Sequence, residues 1–160
     1  MLVAVLGVVA VVPPCQADPA QREGQHSVAA SEVSARYPDL GPEMQAYMGF
    51  IDAEEAELKH LFDVGEVPPT DYRLSRDRLV VTRDAALRVA RSRKADAVPD
   101  LYILLESELT QVLPTGVAAV RGKRPGTKLD ANWMYHGTIR HDEVFYVLER
   151  VGGIGHEDAN

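Results

Sequence analysis

The chain carries one cysteine in 160 residues, Cys15, and none beyond it. The body after residue 15 therefore cannot close a disulfide within itself. The common structural zinc sites, which need several Cys or Cys with His, are excluded as well. Basic residues are also in deficit: Lys and Arg number 17 against 24 Asp and Glu, a formal net charge of −7. That balance repels polyphosphate and argues against nucleic acid as a partner. Aromatic residues make up 6% of the chain, with one Trp. No apolar run reaches the ~18 residues that span a bilayer.

The longest apolar run is the N-terminal one, Leu2 to Val12, broken only by Gly7. Its length suits the apolar region of a signal peptide. Pro13-Pro14 ends it, and Cys15-Gln16-Ala17 places small residues at the first and third positions before Asp18. This reads as a cleavable signal peptide over residues 1–17, cut after Ala17, and as an extracytoplasmic (periplasmic or secreted) protein. No Lys or Arg precedes the run. Two other readings are a buried N-terminal element of the domain and lipid anchoring through Cys15.

Residues 18–40 are poor in large apolar side chains and read as a flexible linker, with a frayed helical turn around Val28 to Ala35. Residues 41–152 then form a single domain, and 153–160 a Gly-rich, acidic, disordered tail. Within the domain, Gly41-Pro42-Glu43 is a helix start. Met44, Tyr47, Met48, Ile51, Leu58, Leu61 and Phe62 recur at three- and four-residue steps, and Gly65 with Pro68-Pro69 ends the helix. A second helix is expected from Thr70 or Asp71 to Lys94. Tyr72, Leu79, Ala86 and Ala90 draw one apolar face, and Leu74, Val81, Ala85 and Val89 a second. A helix apolar on two sides is packed on two sides. The short connection makes the pair an antiparallel α-hairpin.

Beyond Pro99 the pattern changes. Leu101 to Leu105 is a short apolar run, and Ser107 to Leu113 a short helix before Pro114. Trp133 to Arg140 and Glu143 to Val151 are rich in aromatic and β-branched residues and read as a β-hairpin turning at His141-Asp142. A third strand is required for stability, from Leu101–Leu105 or Val117–Arg121. The fold class is α+β: a helical hairpin packed on a small antiparallel sheet built around the C-terminal β-hairpin.

Sequence motifs for chemistry are sparse. The stretch from Gly122 to Lys128 lacks the spacing of a phosphate loop, and Gly152-Gly153-Ile154-Gly155 is not followed by the strand–helix unit of a dinucleotide site. There is no Gly-x-Ser-x-Gly elbow. Charge is segregated: the first helix is acidic and the second carries Arg73, Arg76, Arg78, Arg83, Arg88, Arg91, Arg93 and Lys94. These faces complement each other within the hairpin or present arginines to an anionic partner or membrane. Arg73 with Asp77 and Asp84 with Arg88 are spaced as i,i+4 ion pairs. The densest group of function-capable side chains is Trp133 to Gly137. Strand alternation puts Trp133 and Tyr135 on one face and Met134 and His136 on the other.

The candidate ligand contacts are thus Trp133, Tyr135 and His136, with Arg124. No catalytic residue and no cofactor is indicated, and His136, His141, Asp142 and Glu143 lack the spacing of a metal site. The sequence favours a non-enzymatic binding or interaction protein, its partner a protein or a small molecule. The alternative is a small extracytoplasmic hydrolase or metal-assisted enzyme using His136 and nearby carboxylates.

Overall fold

The computed structural model describes residues 32–152. The signal peptide with its cleavage point, Cys15 and the tail from residue 153 lie outside the described residues.

Helix α1 spans Pro42–Asp63 and helix α2 spans Pro69–Arg93, each with proline in its first turn. Proline suits that position because its missing N–H would have no helical partner there. At the other end of α1, Gly65 takes φ +80°, and its N–H and that of Glu66 return to the carbonyls of Phe62 and Leu61. This left-handed step turns the chain back. Phe62 and Tyr72 stack across the hairpin with ring centroids 4.2 Å apart.

Four strands follow: β1 Leu101–Leu104, β2 Thr127–Lys128, β3 Trp133–Arg140 and β4 Val144–Arg150. All pair antiparallel in the order β1-β4-β3-β2. The β-hairpin lies where the sequence places it, and Leu101–Leu104 is the third strand. Val117–Arg121 is not a strand: a 3-10 helix occupies Gly116–Ala119, and the expected helix after β1 is also 3-10, Glu106–Gln111. The two-residue edge strand β2 was too short to carry a periodic signal.

The two apolar faces of α2 divide as expected. Ala86, Ala90 and Leu79 meet Met44, Met48 and Ile51 of α1, while Val81, Ala85 and Leu74 pack on Ile103, Phe145 and Val147 of the sheet. The opposite face of the sheet, with Tyr135 and Leu148, is covered by Leu109, Leu113 and Val120 of the 3-10 segment. Strand β4 is therefore interior to the sheet and covered on both sides, which explains its unbroken apolar run. The architecture is α+β, with the sheet between a helical layer and a thinner 3-10 layer.

Residues 32–40 differ from the expected linker. A helical turn covers 32–36, and Val33, Tyr37 and Leu40 are buried against α1. The polar overall composition of the stretch gives no sign of this burial. Three apolar residues at suitable spacing are enough when a helix groove is there to receive them. The proposed i,i+4 pairs on α2 do not form either. Arg73 lies 3.9 Å from Asp142 instead, and Arg88 makes no ion pair among the described residues.

Candidate functional site

Strand β3 contains one residue more than β4 opposite it. Tyr135 pairs with Leu148, but Gly137 pairs with Val147, so His136 is a β-bulge. Gly137 adopts φ +105°, where L side chains are strained, and a Cβ there would come 3.2 Å from Pro125 Cγ. The bulge shifts the alternation of β3 by one residue. Tyr135 faces the 3-10 layer, whereas Ile139, also odd-numbered, faces α2. Bulges of this kind re-aim a side chain. Here the imidazole of His136 points at the C-terminal half of α2.

Beneath it lies Glu149, on β4 opposite Met134 and only 4% exposed. A buried carboxylate needs partners for its lone pairs. Arg93, in the last turn of α2, donates from both terminal nitrogens: Nη1 reaches Glu149 Oε1 at 2.6 Å and Nη2 reaches Oε2. His136 Nε2 lies 2.7 Å from the same Oε2. Burial pushes the Glu149 carboxyl up, but the hydrogen bonds from Arg93 and His136 outweigh it and hold the group below its ordinary value. With Glu149 ionised and accepting, Nε2 of His136 is the donor in this contact.

Above this triad opens a cleft of ≈ 390 Å³. Its walls are Arg88, Val89, Ser92 and Arg93 of α2, Pro125-Gly126 of the turn before β2, and Met134, His136 and Val147 of the sheet. The turn is anchored by the Gly126 N–H, which donates to the Tyr135 carbonyl at 2.7 Å. The Ser92 hydroxyl donates to the Val89 carbonyl of its own helix at 2.8 Å. A larger groove of ≈ 1080 Å³ runs along the outer side of α1, lined by Ala46, Gly49, Ala53, Ala56 and the 58%-exposed Phe50. It begins beside Glu32, and its polar lining includes ion-paired surface residues such as Arg36 and Asp52. Convergent buried chemistry belongs to the smaller cleft.

The four sequence candidates are not brought together. Met134 and His136 share the cleft, as alternation requires. Tyr135 is 6% exposed on the opposite face, in the 3-10 core, and Trp133 sits there edge-on to Tyr102 with centroids 4.9 Å apart. Both are packing residues in this arrangement. Arg124 is exposed beside the cleft, and its carbonyl accepts from Thr127. The carboxylate that engages His136 is Glu149, not Asp142 or Glu143. Glu149 and Arg150 close the apolar run Val144–Leu148 and read as a polar strand end; the available signal is strand alternation, which sets Glu149 on the same face as Phe145 and Val147. Among the described residues no cluster of three His, Cys, Asp or Glu could hold a metal.

No family model matches the chain, and neither a curated protein nor a solved structure does.

Proposed function

We propose that this chain is an extracytoplasmic, non-enzymatic binding protein that takes a small ligand in the cleft between α2 and β3. The observation that carries the reading is the closed Arg93–Glu149–His136 network under an open, largely apolar cleft. Both oxygens of Glu149 are engaged, and the Ser92 hydroxyl donates to its own helix rather than to His136. Such a network fixes the walls of a binding site, while a base-and-nucleophile pair needs the hydroxyl hydrogen-bonded to the imidazole. Preformed clefts with an apolar lining and a few fixed polar groups are typical ligand sites. The extracytoplasmic placement rests on the N-terminal run and the Cys15-Gln16-Ala17 site alone.

The hydrolase alternative retains one favourable observation: His136 lies in a cleft at 2.7 Å from a buried carboxylate. One set of measurements separates the two. A fragment library screened by methyl NMR should give binders that shift the Met134 signal, and His136→Ala should leave background hydrolysis of activated esters unchanged. A cleft that takes no fragment overturns the binding reading, and His136-dependent turnover replaces it with the enzyme. N-terminal sequencing of the exported protein should begin at Asp18. An intact Met1 in the mature product overturns the leader reading.

A further inference from the structure

Resting on the cleft reading above, we infer that the ligand is a small organic monocarboxylate with a short apolar tail. The chain is acidic overall, yet the side chains that converge on the cleft are Arg88, Arg93 and His136. Glu149 engages only the last two, which it holds from below, and its single charge is balanced by Arg93. Arg88 stands apart. It is exposed on the cleft wall and, among the described residues, makes no ion pair with Asp84 or any other acid. Most arginines of α2 are engaged by carboxylates of other elements, such as Arg78 by Glu108, Arg83 by Asp52 and Glu55, and Arg91 by Asp39. Arg88 keeps its full planar set of donors for a ligand, and that fork matches the two oxygens of a carboxylate.

The remaining lining decides between a carboxylate and a more highly charged anion. Phosphate or sulfate, stripped of water, needs several donors converging from different directions. Here the nearby donors are committed: the Ser92 hydroxyl to Val89, the Gly126 N–H to Tyr135, and both terminal nitrogens of Arg93 to Glu149. What faces the rest of the cleft is apolar: Ala85, Val89, Pro125, Met134 and Val147. Met134 contributes an adaptable thioether that can follow an alkyl chain. A cation would be repelled by Arg88, and an uncharged ligand would leave it unmatched.

The test uses the full chain with methyl-labelled methionine and four probes: hexanoate, hexanol, hexylamine and inorganic phosphate. Hexanoate should shift the Met134 methyl at lower concentration than the other three. Arg88→Gln should weaken hexanoate at least tenfold and leave hexanol unchanged. Arg88 is exposed and, among the described residues, unpaired, so this variant should melt like wild type. Equal response to hexanol, preference for hexylamine or phosphate, or indifference of hexanoate to Arg88→Gln overturns the carboxylate inference and leaves the cleft reading standing. If none of the four moves Met134, and a fragment screen also finds no binder there, both fall together.

Discussion

Glu149 is the charged residue that the sheet buries most deeply, and both of its oxygens are hydrogen-bonded. Its pKa is lower in the folded chain than in the unfolded one. A group so depressed stabilises the fold fully above its ordinary value of 4.5, and that contribution is lost as pH falls through the folded value. Glu108 behaves in the same sense: burial raises its pKa, but the Leu105 N–H and Arg78 lower it further. The protein should therefore lose stability on acidification below about pH 4.5. Glu149→Gln should cost about 1.5–3 kcal/mol at pH 7, the range for a hydrogen bond to a charged group. The 41% exposure of the Arg93 side chain keeps the cost there, because its freed guanidinium can reach water. The same variant should lose less on going to pH 3, with Glu108 supplying the remaining slope. Urea midpoints at the two pH values measure both effects. A variant that loses as much on acidification as wild type would show that Glu149 is not held ionised by its partners.

Among the elements, α1 depends on a residue far from it in sequence. Its N-cap position is Gly41, which offers no side chain, and the cap comes from Asp96. The Asp96 carboxylate accepts from the Met44 N–H at 2.9 Å and the Glu43 N–H at 3.1 Å. A Cβ at residue 41 would overlap Asp96, so glycine is what lets the carboxylate in. Asp96→Ala should cost about 0.5–2 kcal/mol, with Asp96→Asn retaining most of the cap. Thermal melts of the two variants decide it, and equal losses would mean that charge rather than hydrogen bonding matters. The core faces make a second prediction at this scale. Met48→Asp and Val81→Asp each bury a carboxylate at a fully enclosed position and should abolish the cooperative melt. Leu58, which lies on the expected apolar stripe of α1, is only half-buried. Leu58→Asp should be folded but weakened, since its carboxylate can turn toward solvent at the narrow end of the hairpin. A complete loss of folding in Leu58→Asp would place the α1 core further toward its C-terminus than observed.

For the whole molecule, the last strand is central although it lies near the end of the described chain. Strand β4 pairs with both β1 and β3 and supplies Phe145 and Val147 to one core and Leu148 to the other. A chain ending at Arg140 loses β4, leaves β1 and β3 without their shared neighbour and exposes the sheet-facing side of α2. It should not fold, whereas a chain ending at Gly152 should melt like the full one. A soluble, cooperatively melting fragment ending at Arg140 would show that the α-hairpin is a domain by itself.

Periodicity alone determined much of this architecture. The stripe on α1, the two faces of α2 and the turn at His141-Asp142 are local patterns, and local patterns survive in a sequence because each element must bury its own apolar side. The unbroken apolar run of β4 likewise implied cover on both faces. The tertiary structure decided what depends on residues far apart in the chain. The bulge at His136 is a mismatch between two strands and has no signature in either alone. The pairing of Glu149 with Arg93 spans 56 residues and the capping of α1 by Asp96 more than 50, distances at which spacing carries no information. The same holds for residues 32–40, whose few apolar side chains gain a core only because α1 is there to receive them. The cleft is made at such junctions, where a helix end, a turn and a bulged strand meet, so its walls were fixed by packing between elements rather than by any motif within one.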